Sequence, residues 1–145
     1  FRAGEEAFIA GLAARFPTER SAIEEYARLV KKVNKSADLY FYAKLFPKIL
    51  QWLITTFLCG EYLAYARRTT HDVISSLTAD EGLRAVLCSQ FGNYGLPPTQ
   101  SSFLIQAGIT AHYMGGAYYP IGGPQAISRA IVPTIEAAGG RVFVR

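Results

Sequence analysis

Apolar residues return at intervals of three and four along much of this chain, the mark of helices that bury one stripe. The pattern can first be followed residue by residue after Pro17. Thr18 is placed to cap a helix there, and Ser21 with Glu24 reads as a capping box. Ile23, Tyr26, Ala27, Val30 and Val33 then share one face, which predicts an amphipathic helix of about five turns ending near Asn34–Lys35. Glu24 and Arg28, four apart on the outer face, are spaced to pair.

From Leu39 to Ala66 the chain is apolar and aromatic, interrupted by Lys44, Pro47, Lys48, Gln51 and Glu61. Its longest charge-free run, Ile49 to Gly60, covers about 18 Å as a helix, well short of the roughly 30 Å of a bilayer's hydrocarbon core. A membrane-crossing helix is therefore not expected. Two readings remain for Ile49, Trp52, Leu53, Phe57 and Leu58. They form either a buried core helix or a helix lying in a lipid interface with Lys44 and Lys48 at the headgroups.

Thr78 with Glu81 reads as a second capping box, opening a short helix through Leu83, Val86 and Leu87. Glycine then becomes frequent. The run Phe91-Gly-Asn-Tyr-Gly-Leu-Pro-Pro98 is expected to be a loop, serving as a tight connector or as the wall of a site. Ser101 or Ser102 starts the next helix, through Phe103, Leu104, Ala107 and Ala111 to Met114. Gly115 to Gly123 reads as a short extended segment, followed by a helix with Pro124 at its first position. That helix carries Ile127, Ala130, Ile131, Ile135 and Ala138 as a stripe, is bent at Pro133 and stops at Gly139-Gly140. Arg141 to Arg145 is expected to be a β-strand. A strand so short needs neighbours, and the sequence offers few, so the chain is expected to be an internal piece of a larger protein with an incomplete sheet.

Composition narrows the classes. With 145 residues and 50% hydrophobic content, there is material for one core and no disordered-tail character. Arg2, Glu5 and Glu6 interrupt any apolar run at the start, against reading a secretory leader there. The formal charge of +4 is uneven: Ala27 to Thr70 holds eight bases against Asp38 and Glu61. These bases are interleaved with Leu, Phe, Ile and Trp, which suits an anionic membrane surface better than nucleic acid, or else a solvated helix face. Cys59, Cys88, His71 and His112 are scattered, with no ligand-pair spacing, so no metal site is expected and both thiols read as inert. No G-x-G-x-x-G follows a strand, and no phosphate loop is present.

The run His112-Tyr-Met-Gly-Gly-Ala-Tyr-Tyr-Pro-Ile-Gly-Gly123 stands apart. Its glycines let backbone approach a flat ligand, and the helix start that follows offers amides to an electron-rich group. It reads either as a wall for a planar ring system or as a hairpin edge with Tyr packed on a core.

The residues Phe91-Gly-Asn-Tyr-Gly-Leu-Pro-Pro98, Ser101-Ser-Phe103, His112-Tyr113, Gly116-Ala-Tyr-Tyr-Pro-Ile-Gly-Gly123 and Ile135-Glu-Ala-Ala-Gly-Gly-Arg-Val-Phe-Val-Arg145 closely resemble the retinol saturase (all-trans-retinol 13,14-reductase) branch of the phytoene desaturase and carotenoid isomerase flavoproteins. The likeness is good from Thr78 onward and looser from Phe16 to Val33. It implies an α+β, mostly α-helical piece of an FAD/NAD(P)-binding flavoprotein. Residues 1–70 would form a helical, membrane-interfacial substrate region, and 71–145 would carry a β-α-β crossover returning to the FAD domain. The implied activity is FAD-dependent saturation of the 13,14 double bond of a retinoid or other polyene lipid at the endoplasmic reticulum membrane, with NAD or NADP as candidate electron donor. The resemblance further implies that His112 and Tyr113 serve catalysis, and that Tyr118, Tyr119, Gly122 and Gly123 approach the flavin. Alternatives are a carotenoid isomerase or desaturase on the same scaffold, and a non-enzymatic membrane-associating helical module.

Overall fold

The computed structural model describes residues 3–144. Its helices are α1 (Glu5–Ala13), α2 (Arg20–Ala43), α3 (Lys48–Leu58), α4 (Gly60–Arg67), α5 (Thr70–Leu77), α6 (Glu81–Cys88), α7 (Phe103–Met114) and α8 (Gln125–Ala137), with 3₁₀ turns at Pro17–Glu19 and Ser89–Asn93. The stripe on α2 behaves as its spacing predicts: Ile23, Tyr26, Ala27, Val30 and Val33 are buried, and α7 packs across them through Phe103 and Ala107. Phe8 and Leu12 of α1, Val73 and Ile74 of α5, and Leu83 and Leu87 of α6 complete this core. The Phe8 and Phe103 rings flank Tyr26 at 6.3 and 6.4 Å.

The helix predicted to stop near Asn34–Lys35 instead runs on to Ala43. Packing supplies the reason. Tyr40 stacks on Tyr62 of α4 at 4.1 Å, Ala43 is buried, and Lys32 pairs with Glu61, so the second half of α2 is held against α4 despite its weaker local propensity. Charge pairs and caps also differ from their spacing. Glu24 bonds Arg20, and Arg28 bonds Glu25, so the Glu24–Arg28 pair does not form. Ser21 makes no cap, since a 3₁₀ turn through Pro17 leads directly into α2.

The expected β-α-β crossover is absent. Among the described residues there is no strand, only an isolated bridge between Thr69 and Ser102, so the architecture is all-helical instead of α+β. Residues 141–144 lack regular structure, and Val142, Phe143 and Val144 lie exposed without a neighbouring strand; Arg145 is outside the described residues. The β-branched and aromatic composition that predicts a strand has no pairing partner here, and backbone pairing is what makes a strand. Residues 116–120 likewise form no ladder.

The α8 helix ends as its glycines predict. Gly139 sits at φ +80°, its N–H donates to Glu136, and the Gly140 N–H donates to the Ile135 carbonyl at 2.9 Å, a Schellman closure. No residue of α8 is buried. Among the described residues no helix is long and apolar enough to cross a membrane.

Candidate functional site

Ser102 caps α7 by accepting from the Leu104 N–H at 3.2 Å, fixing where the helix begins. Its far end then presents His112 and Tyr113 at the surface, their rings in edge contact at 5.1 Å. The Met114 carbonyl accepts from the Gly4 N–H at 2.7 Å, so the chain before α1 is tied to the end of α7. Gly116 at φ +111° turns the backbone away, and a Cβ there would lie 3.3 Å from that of Ala3. These constraints leave an open cleft of about 450 Å³, lined by Gln90, Asn93, Tyr113, Gly116, Tyr118 and their neighbours. That volume is within the range of small-molecule sites.

The cleft therefore joins two of the residues singled out from the sequence, Tyr113 and Tyr118. His112 touches Tyr113 but is not part of the lining. Tyr119, Gly122 and Gly123 lie on the exposed turn beyond it, where Tyr118 is 96% and Tyr119 74% exposed. Gly122 and Gly123 take φ of +91° and +77°, conformations that select glycine by themselves. A Cβ on Gly123 would meet nothing within 4 Å, so the turn offers bare backbone. The Ala126 and Ile127 amides at the start of α8 are already bonded to Gly123 and Pro124. This turn is open to solvent and encloses no ligand-sized space of its own.

The loop that carries Asn93 is held from within. Tyr94 donates to the Gln106 side-chain oxygen at 2.7 Å; the Gln106 amide donates to the Leu87 carbonyl at 2.8 Å and to the Tyr26 hydroxyl at 3.2 Å. Tyr26 in turn meets Thr110 at 3.0 Å, and Ser101 donates to Thr70 at 3.0 Å. Burial pushes the Tyr26 hydroxyl up to about 12, so it stays neutral and serves as a hydrogen-bonding core group. Sequence reasoning missed Gln106 and Thr110. Two polar residues four apart on the face that also carries Phe103 and Ala107 were the available signal. It also missed Gln90, whose buried side-chain oxygen has no hydrogen-bond partner.

The other side of the same loop lines a second open cleft of about 460 Å³, with His71, Glu81, Arg84, Cys88, Pro97 and Pro98. Phe91 to Pro98 thus walls two clefts, its first part being a 3₁₀ turn and Gly95 at φ +78° its bend. Burial pushes the Cys88 thiol up, away from the reactive thiolate. Thr78 is not the cap of α6: Asp80 accepts from the Leu83 N–H at 2.7 Å, while the Thr78 hydroxyl donates to Glu19 and accepts from the Asp80 N–H. Among the described residues no group of three or more His, Cys, Asp or Glu is placed to hold a metal ion.

Comparison with known proteins finds relatives along nearly the whole chain. Over 146 aligned residues covering 98% of this chain, it is 40% identical to a protein of Danio rerio named all-trans-retinol 13,14-reductase and 35% identical to the Homo sapiens protein of that name. The likeness to the retinol 13,14-reductases is borne out. A Danio rerio protein named inactive all-trans-retinol 13,14-reductase is 33% identical over 97% of the chain. The chain spans about a quarter of the length of these relatives, 24% in each case. No family model matches, and no solved structure does.

Proposed function

We propose that this chain is part of an FAD-dependent oxidoreductase that reduces a polyene alcohol of the retinoid kind at its 13,14 double bond. The likeness over 98% of the chain to proteins named for that reaction carries the reading. In this reading the substrate occupies the cleft. Tyr113 and Tyr118 provide aromatic faces against which a conjugated chain or flat ring packs, with favourable stacking and burial. Asn93 and Gln90 supply polar groups along an otherwise small-residue wall, able to orient a hydroxyl-bearing end.

Bare backbone at Gly122 and Gly123, with Tyr118 and Tyr119 beside it, is where the chain would touch the flavin. When bound, the reduced flavin supplies the hydride for alkene saturation and is itself oxidised. The second hydrogen arrives as a proton. In this reading the proton comes from Tyr113, which lines the cleft, or from exposed His112, whose ring meets that of Tyr113 edge-on from outside the lining.

Turnover tests this reading. A chain of the relatives' length, supplied with all-trans-retinol and a reductant for its flavin, is expected to form the 13,14-dihydro product. Tyr113→Ala with Tyr118→Ala should reduce kcat/KM by at least tenfold. The relative named inactive favours a second reading, a non-catalytic member of the same branch. Flavin content with no product from any polyene alcohol would select it.

A further inference from the structure

The 3₁₀ turn Ser89–Asn93 has no buried residue, and the apolar side chains on either side of Tyr94, Phe91 and Leu96, are both exposed. Burial alone gives this turn little hold. Its backbone is pinned further on, where the Pro98 carbonyl accepts from the His71 N–H at 2.9 Å, and closes on itself where the Gly95 N–H donates to the Phe91 carbonyl at 2.9 Å. Between these points Tyr94 ties the turn to the core. Its hydroxyl donates to the side-chain oxygen of Gln106 at 2.7 Å, with the Ser101 hydroxyl approaching at 3.5 Å. Gln106 is fully buried and is itself fixed by the Leu87 carbonyl at 2.8 Å and the Tyr26 hydroxyl at 3.2 Å. An exposed turn is thus moored to the core through a phenolic hydroxyl.

What the turn carries gives the mooring a use. In a 3₁₀ turn, side chains three apart eclipse one another. Gln90 and Asn93 are three apart and both line the cleft with Tyr113 and Tyr118, so two carboxamides border it from one side. Each carboxamide both donates and accepts, as does an alcohol, whereas an ether only accepts. Tyr94 follows Asn93 directly. We propose that Tyr94 is a positioning residue: its bond to Gln106 sets where the Asn93 and Gln90 amides stand, and so how strongly the cleft prefers a polyene with a free hydroxyl to the same polyene with that hydroxyl capped. This role rests on the cleft being the retinoid site. Removing the phenolic hydroxyl keeps the ring but frees the turn, and a displaced amide loses a directional bond while the aromatic walls stay as they are. The loss falls on binding of the hydroxyl end, and hence on KM more than on kcat.

In a flavin-loaded chain of the relatives' length, Tyr94→Phe should raise KM for all-trans-retinol roughly fivefold, the worth of one neutral hydrogen bond, with kcat changed less. The preference for retinol over all-trans-retinyl methyl ether, as a ratio of kcat/KM values, should fall by a similar factor. Asn93→Ala, at an exposed position, should lower the same ratio, and the two losses should not multiply in the double variant, because Tyr94 acts through the amides. Tyr26→Phe is the control. It removes a hydroxyl that bonds Gln106 from the side of α2, so it should lower the urea midpoint and leave the ratio at the parent's value. A parent that forms no dihydro product retires the oxidoreductase reading, and the same ratios are then read as dissociation constants from retinoid fluorescence. An unchanged ratio in Tyr94→Phe, losses that multiply in the double variant, or an equal loss in Tyr26→Phe would overturn the role given to Tyr94. Should Tyr94→Phe fail to fold, an unchanged ratio in Asn93→Ala overturns it by itself.

Discussion

At the residue scale, Gln106 is the side chain on which most depends. Its amide reaches Tyr26 on α2, Tyr94 on the loop and the carbonyl of Leu87 on α6, all from a fully buried position. Gln106→Leu strands the Leu87 carbonyl in an apolar setting and should cost about 2–4 kcal/mol, read as a lower urea midpoint at unchanged slope. Tyr26 adds a pH signature. Its ionisation is raised to about 12 by burial against an ordinary value near 10, so the neutral form is favoured by folding. That contribution is fully present below about pH 10 and is lost as pH rises toward 12, because the unfolded chain ionises first. Tyr26→Phe should flatten this alkaline loss of stability; an unchanged pH profile would show that Tyr26 is not its source. The sequence made Tyr26 legible as a core position through its spacing, but not its partners, since hydrogen bonds across 80 and 84 residues leave no local trace.

At the scale of elements, local signals located helices better than they located helix starts. The α2 stripe, a start of α7 at Ser101 or Ser102 and the Gly139-Gly140 stop could all be read, because each depends on neighbours within one turn; the structure selects Ser102. Thr78 and Ser21 could not, since several capping residues compete and packing chooses between them. Asp80→Ala should therefore cost about 1 kcal/mol, and Ser21→Ala should fall within about 0.5 kcal/mol of the parent, both by equilibrium unfolding. The reverse order would restore the caps read from spacing. The strand expected at 141–145 failed for a different reason: composition expresses a preference for extended backbone but does not provide a partner. Whether α3 is buried was left open between two readings, because periodicity shows that a helix has two faces and not what covers them; no residue of α3 is buried here.

At the scale of the whole molecule, Tyr113 and Tyr118 could be singled out because aromatics and glycines alternate there, and the structure brings both to one cleft. Asn93 lies in the Phe91–Pro98 run that reads as a connector or the wall of a site, whereas Gln90 precedes that run and carried no local signal. Gly116 is the narrow point of this assembly. Its φ of +111° and its approach to Ala3 leave no place for a branched side chain, so Gly116→Val should close the cleft and lower retinol affinity at least tenfold, measured by titration of retinol fluorescence. The most direct test of the central claim is to map where a photoactivatable retinol analogue attaches to a chain of the relatives' length that turns over retinol. Adducts are expected on the peptides carrying Gln90–Asn93 and Tyr113–Tyr118, displaced by excess all-trans-retinol. Turnover accompanied by adducts confined to other segments would contradict the assignment of this cleft.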